Sequence, residues 1–192
     1  MHIIGIDEAG RGPLAGPVAV GVCAVEENFD FSIFENLKDS KKLTEKRREE
    51  IFEQMKLLKK EGKLNFSVAL VPHTIIDSLG ISHAIREGIK GVLQKISSDP
   101  KSCKIFLDGS LKAPAEFLNQ ETVIKGDEKI PAISLASIAA KVTRDRHMVE
   151  MSREYSVYGF EIHKGYGTKA HLAAIKANGV SAIHRQSFAF SR

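Results

Sequence analysis

The chain has 192 residues, a net charge of +4, 43% hydrophobic and 27% charged residues, and two cysteines. It is long enough to bury a sizeable core without staples, and its composition suits one globular domain or one domain with an extra helical lobe. Cys23 and Cys103 sit in separate apolar runs and read as buried free thiols; no Cys/His spacing suggests zinc, and no apolar run reaches transmembrane length. With no leader pattern ahead of the first strand, a cytoplasmic protein is expected. The mild basic excess is compatible with an anionic partner without proving one.

In chain order, His2-Ile3-Ile4-Gly5-Ile6-Asp7-Glu8-Ala9-Gly10-Arg11-Gly12-Pro13 opens with an isoleucine-rich run that reads as a buried strand. It ends in two adjacent carboxylates, and burying unpaired charge is costly. A hard cation with oxygen ligands would account for them; a solvated strand end with a turn is the alternative. Neighbouring side chains on a strand point to opposite faces, so the strand is expected to end or twist here if both acids hold metal. Gly10-Arg11-Gly12 suits a phosphate backbone, because glycines admit close approach and arginine supplies a fork of donors.

Residues 17–25 form a second apolar run, expected to pair antiparallel with the first. Residues 26–37 read as a loop in which Phe29, Phe31, Ile33 and Phe34 cover an edge. Lys41 and Lys42 precede a helix capped by Thr44, where a loop could present them to phosphate. A strand over 64–71, a short helix near 72–79 and a longer one after Gly80 follow, the last with Ile81, Ile85, Ile89, Val92 and Ile96 along one stripe. Gly88 and Gly91 weaken that helix unless they allow close packing. His73 and His83 read as ordinary helical residues.

Residues 103–108 repeat the opening pattern, an apolar strand running into Asp108 and then Gly109. A strand over 121–125 leads to Gly126-Asp127. Three strand ends therefore carry acid next to glycine, and functional groups gather where strands end. A helix from Ile130 to Met151 is rich in alanine and begins with Pro131 in its first turn. Ser134, Ser137, Lys141 and Arg144 form one polar stripe on it, facing either a phosphate chain or solvent with Lys141 paired to Asp145. Residues 158–168 form a glycine-rich loop with Tyr158, Lys164 and Tyr166, read either as stacking and phosphate contacts or as a packed loop. A last helix over about 168–177 stops at Asn178-Gly179. The tail phenylalanines Phe188 and Phe190 are expected to pack back on the body, with docking to another protein as the secondary reading.

These motifs together resemble ribonuclease HII, the type 2 ribonuclease H. The likeness runs through Gly5-Ile6-Asp7-Glu8-Ala9-Gly10-Arg11-Gly12-Pro13, Asp39-Ser40-Lys41-Lys42-Leu43, Asp108-Gly109, Lys125-Gly126-Asp127, Ser137-Ile138-Ala139-Ala140-Lys141-Val142-Thr143-Arg144-Asp145 and His163-Lys164-Gly165-Tyr166. It implies an α/β RNase H-like fold, a mixed sheet flanked by helices, with a catalytic domain at 1–151 and a C-terminal helical extension at 152–192. It implies Mg²⁺- or Mn²⁺-assisted cleavage of RNA in RNA–DNA hybrids and 5′ of single ribonucleotides in duplex DNA, leaving 5′-phosphate and 3′-hydroxyl ends. Asp7, Glu8, Asp108 and Asp127 would be the catalytic, metal-binding acids. Gly10, Arg11 and Gly12 would sense the 2′-hydroxyl and Tyr166 would stack on the following sugar. Lys41, Lys42, Ser137, Lys141, Arg144 and Lys164 complete the expected substrate contacts, in a monomer. Type 3 relatives usually carry an added N-terminal domain, which a motif beginning at residue 7 is expected to exclude. A phosphatase with Asp108 as nucleophile would need an acid at position 110, where Ser110 stands. A non-catalytic hybrid-binding module would leave the strand-end acids unexplained.

Overall fold

The structure is a computed structural model and describes residues 1–34, 37, 43–96 and 99–188. Lys41, Lys42 and Phe190 lie outside the described residues.

The sheet runs β3-β2-β1-β4-β5. Strands β1 (His2–Ala9), β2 (Val18–Glu26) and β3 (Leu64–Val71) form an antiparallel meander, and β4 (Cys103–Asp108) and β5 (Gln120–Val123) extend it in parallel beyond β1. The sheet is mixed because a short loop can return β1 to β2, whereas parallel β4 needs a long crossover. That crossover contains α1 (Glu45–Lys60), β3, α2 (His73–Leu79) and α3 (Ile81–Lys95). Thr44 caps α1 through its hydroxyl, which accepts from the Arg47 N–H at 3.2 Å.

Strand alternation divides the core into two. Ile4, Ile6, Val20 and Val22 face α3, whose Ile85, Ile89 and Val92 pack onto them. On the other face Cys23 and Val25 meet α1 and the long helix α5 (Pro131–Glu154), through Phe52, Leu135, Ile138 and Ala139. Helix α5 comes unusually close because Gly5 and Gly21 lie beneath it. A Cβ at Gly5 would sit 2.1 Å from the Ala132 carbonyl carbon, and one at Gly21 would sit 2.2 Å from the Ala136 oxygen. The small-residue character of α5 and the glycines of β1 and β2 are thus one packing feature.

Some elements differ from expectation. β5 ends at Val123, because Ile124 is exposed and Lys125 turns left-handed at φ 54° into the short helix α4 (Gly126–Lys129). Helix α5 runs three residues beyond Met151, through the expected domain boundary. The 158–168 loop contains one turn of helix, α6 (Phe160–His163), ahead of α7 (Lys169–Asn178). Gly88 does serve close packing, 2.5 Å from Val20 Cγ2 for an added Cβ, whereas Gly91 faces open space.

That contrast is testable by urea unfolding. Gly5→Ala should lower stability by roughly 1–3 kcal/mol or more, since the clash is with backbone. Gly91→Ala should raise it by about 0.5–1 kcal/mol. Shifts of the same sign would refute the packing account.

Candidate active site

Asp7 and Asp108 stand one residue beyond the last paired positions of the parallel strands, Ile6 and Leu107. Adjacent strands lie roughly 4.8 Å apart, so these carboxylates start as neighbours. β1 neither ends nor breaks at its acids: it stays paired to β2 through Ala9 while β4 stops. Glu8 lies on this continuous part of β1, close enough to Asp108 for their charges to act on one another.

Burial raises the Asp7 carboxyl well above its ordinary value, against a hydrogen bond from Ser137 on α5, and Glu8 and Asp108 raise it further. Burial raises Glu8 as well, with Arg11 opposing and Asp108 adding. Glu8 Oε1 accepts from Arg11 at 3.0 Å, and Asp108 Oδ1 accepts from the Gly126 N–H at 2.6 Å. Asp127 follows Gly126 directly and is fully buried, and its carbonyl accepts from the Ser134 hydroxyl. Asp127 is thus joined to Asp108 through the α4 turn.

These residues fit a hard divalent cation. Glu8 Oε2 is buried with no hydrogen-bond partner among the described residues, and three carboxylates repel one another. The donors are all oxygen. Among the described residues no three His, Cys, Asp or Glu side chains are grouped so as to hold a metal ion by themselves. A small cation of this kind takes only one or two carboxylates and fills its remaining positions with waters or substrate oxygens.

The glycine loop beside the acids is held from below by two buried guanidiniums. Arg144 on α5 donates to the carbonyls of Pro17, Lys164 and Ala15 at 2.9, 3.0 and 3.1 Å. Arg185 donates to Gly16, Arg11, Gly10 and Pro17 at 2.9, 3.0, 2.7 and 3.0 Å. Burial and the neighbouring Arg144 press Arg185 down to about 9, so it keeps its charge at neutral pH. Gly10, at φ 87°, packs so tightly that a Cβ would strike Arg144 Nε at 2.0 Å.

The expected polar stripe on α5 is consequently divided. Ser134 and Arg144 are buried, and only Ser137 and Lys141 border the open cavity. Lys141 pairs with Asp145 at 2.9 Å, as the ion-pair reading expects, and lies 5.6 Å from the Tyr166 ring. Lys164 is turned inward, its ammonium capping the Glu161 carbonyl. Tyr158 is buried, whereas Tyr166 is 41% exposed at the cavity mouth. The cavity, about 390 Å³, is lined by Glu8, Gly10, Arg11, Gly12, Lys141 and Tyr166 among others.

Arg185, His171 and His184 support the site without any signal in the sequence that assigns them a role, and His163 of the motif run joins them. The Ser181 N–H donates to His184 Nδ1 at 2.8 Å, so His184 carries its proton on Nε2, 3.0 Å from His171 Nε2. His171 then donates through Nδ1 to the Tyr166 carbonyl at 2.9 Å. His163 stacks on His171 with ring centroids 4.3 Å apart. Burial and His171 lower His184 to about 4, so the relay is neutral at pH 7 and holds the Tyr166 backbone. Its sequence signal was a bare His184-Arg185 pair near the terminus, with no spacing that links it to the glycine loop.

Comparison with known proteins follows the geometry. The pattern of the Ribonuclease HII family matches residues 4–191. A ribonuclease HII of Endomicrobium trichonymphae is 44% identical over 186 residues, covering 97% of this chain and 84% of that one. The ribonuclease H2 structure from Pyrococcus horikoshii OT3 superposes with a TM-score of 0.75 at 27% identity, over 99% of this chain and 95% of that one. The RNase HII of a PCNA:RNase HII complex from Archaeoglobus fulgidus shares the fold, with a TM-score of 0.79 at 23% identity over 100% and 97% of the two chains.

Carboxyls held above their ordinary values favour the fold most under acid conditions, and that contribution is lost as pH rises through the raised value. At neutral pH the buried Asp7 carboxyl is therefore a burden on the fold, and Asp7→Asn should stabilise the protein by roughly 1 kcal/mol, or about 2–4 °C in Tm. The gain should shrink as pH falls towards the ordinary carboxylate range. Thermal melts at neutral and acid pH check this; a destabilised variant at neutral pH would contradict it.

Proposed function

Because the chain belongs to the ribonuclease HII family, metal-dependent hydrolases of RNA in RNA–DNA hybrids, we propose that it also cuts 5′ of single ribonucleotides in duplex DNA, leaving 5′-phosphate and 3′-hydroxyl ends. The observation that carries the reading is the meeting of Asp7, Glu8 and Asp108 at one end of parallel strands, beside the Gly10–Arg11–Gly12 loop.

Asp7, Glu8, Asp108 and Asp127 would hold the divalent ion, Mg²⁺ or Mn²⁺. When bound, such an ion supplies activation of water and stabilisation of charge on the scissile phosphodiester. The chain's own part is positioning. Ser137 orients Asp7, Arg11 holds one oxygen of Glu8, and the Gly126 N–H fixes Asp108. The glycine loop, carried on the guanidiniums of Arg144 and Arg185, presents its backbone to the 2′-hydroxyl, the group that distinguishes RNA from DNA. The exposed Tyr166 ring would stack on the sugar beyond the junction, with Ser137 and Lys141 lining the same cavity. Arg144 and Lys164 would act from beneath, by holding backbone, in place of the phosphate contacts first expected of them.

The proposal includes a cytoplasmic monomer, with residues 152–192 as an extension packed on the catalytic domain. No helix among the described residues is long and apolar enough to cross a membrane. The Archaeoglobus fulgidus relative is seen with PCNA. In this chain Phe188 packs against the α3-side core, with the Arg185 guanidinium 5.1 Å from its ring. A similar partner would dock weakly through the C-terminal tail, whose sequence carries Phe188 and Phe190.

The test is a labelled duplex with one embedded ribonucleotide, incubated with Mg²⁺ or Mn²⁺ or with a chelator. Metal-dependent cutting just 5′ of the ribonucleotide is expected, and intact duplex under all conditions would overturn the proposal. Asp108→Asn should lower kcat by a factor of about 100 or more while leaving Tm near wild type, because an asparagine oxygen can keep the Gly126 hydrogen bond. An unfolded variant would assign Asp108 a structural role. Tyr166→Ala should slow cutting at single ribonucleotides by roughly 10-fold, matching the loss of one stacking contact, and affect long RNA runs less. Equal losses would count against the junction role.

A further inference from the structure

A second cavity, of about 200 Å³, opens on the α3 side of the acids. Its polar wall is Arg11, Ser82, Arg86, Ser110 and Lys112. No carboxylate lines it. Its apolar floor includes Ile85 and Leu111, both buried in the α3-side core.

The wall is built by ordinary local rules. Ser82 and Arg86 lie four residues apart on α3, so they share a face. After Asp108 the chain turns through Gly109 at φ 60°, and the Leu111 N–H bonds back to the Asp108 carbonyl at 3.2 Å. Leu111 is buried and its carbonyl accepts from the Thr122 hydroxyl at 3.3 Å, which leaves Ser110 and Lys112 exposed on either side of it. A catalytic acid and this cationic rim are therefore consecutive on one turn.

Arg86 and Lys112 form no ion pair among the described residues, which leaves their charge available but is equally true of exposed lysines such as Lys60, Lys90 and Lys101. What separates the rim from an ordinary solvated surface is its place: Arg11 lines this cavity and the active-site cavity alike, and is the residue common to the two. A polyanion crossing the end of β1 and β4 would pass Arg11 and meet the rim next.

We propose that this cavity is a phosphate subsite, holding one backbone phosphodiester of the nucleic-acid substrate on the α3 side of the carboxylates through Arg86, Lys112 and the hydroxyls of Ser82 and Ser110. The inference rests on the nuclease reading and extends it to residues outside every motif that carries the resemblance. Such a contact fixes register without reading sequence.

The experiment measures binding of a fluorescein-labelled RNA–DNA hybrid in chelator, so that cleavage does not enter. Wild type is compared with Arg86→Ala/Lys112→Ala and with Lys60→Ala/Lys101→Ala, which removes the same charge at the opposite end of the sheet. The first variant should bind roughly five- to twentyfold more weakly between about 50 and 200 mM salt, and its slope of log affinity against log salt should fall by about 1, the value for one lost phosphate contact. The second should match wild type. Unchanged affinity and slope in the first variant, or equal changes in both, would overturn the subsite. Neutral methylphosphonate linkages in the DNA strand alone, or in the RNA strand alone, identify the source. The strand that reaches the cavity is the one whose neutralisation abolishes the difference between wild type and Arg86→Ala/Lys112→Ala. If neither does, the subsite is refuted. Cleavage by wild type in Mg²⁺ is scored separately, so a protein that binds with the expected slopes but never cuts refutes the nuclease reading and leaves the subsite standing.

Discussion

The site depends on two buried positive charges that form no ion pair among the described residues, Asp145 and Asp77 acting on Arg144 and Arg185 only from a distance. Arg144 and Arg185 are fully buried, and their nitrogens are solvated by main-chain carbonyls from residues 10–17 and from Lys164. Moving a guanidinium out of water costs several kcal/mol, and only a complete set of hydrogen bonds offsets it. The glycine loop supplies that set, so its path is dictated by the forks beneath it. Two planar guanidiniums spaced by Pro17, whose carbonyl both share, leave the loop little freedom. A lysine at either position would offer a point charge in place of a fork, and could not span the same carbonyls.

The opposite sign is concentrated a few residues away. Asp7, Glu8 and Asp108 are brought together where β4 stops and β1 continues, and burial makes the ionised forms of Asp7 and Glu8 costly. Arg11 relieves part of this through Glu8, and the Gly126 N–H relieves Asp108. The remainder is a standing tension of the kind that a divalent ion removes. One small region thus holds buried cations bound to backbone and, beside them, crowded and partly neutralised anions. The first group fixes geometry and the second awaits charge.

The C-terminal segment ties the two together. Leu14 and Gly16 donate to the carbonyls of Gly165 and Ile183, and Arg185 donates back to Leu14. The His184–His171 relay carries the same attachment to the Tyr166 backbone. Through these contacts the C-terminal segment forms part of the wall behind the glycine loop.

What could be read from residues alone was whatever depends on neighbours in the chain. The apolar runs of β1 to β4, the Thr44 cap, the stripe of α3 and the Gly179 stop are local, and each appears as periodicity or capping chemistry predicts. The acids were legible because carboxylate after an apolar run is anomalous wherever it occurs, and the family resemblance followed from their order. The direction of the polar residues on α5 was not legible. Spacing places Ser134, Ser137, Lys141 and Arg144 on one face, but whether that face meets solvent or loop is settled by what the chain lays over it more than a hundred residues away. Nor could a His184-Arg185 pair announce that it supports Gly10. That Asp7, Glu8 and Asp108 carry charge follows from their covalent chemistry, and the sequence determined it. That they share one space, with Arg185 beneath the loop beside them, was decided only by tertiary structure, because strand register and the burial of charge are properties of segments brought together by folding.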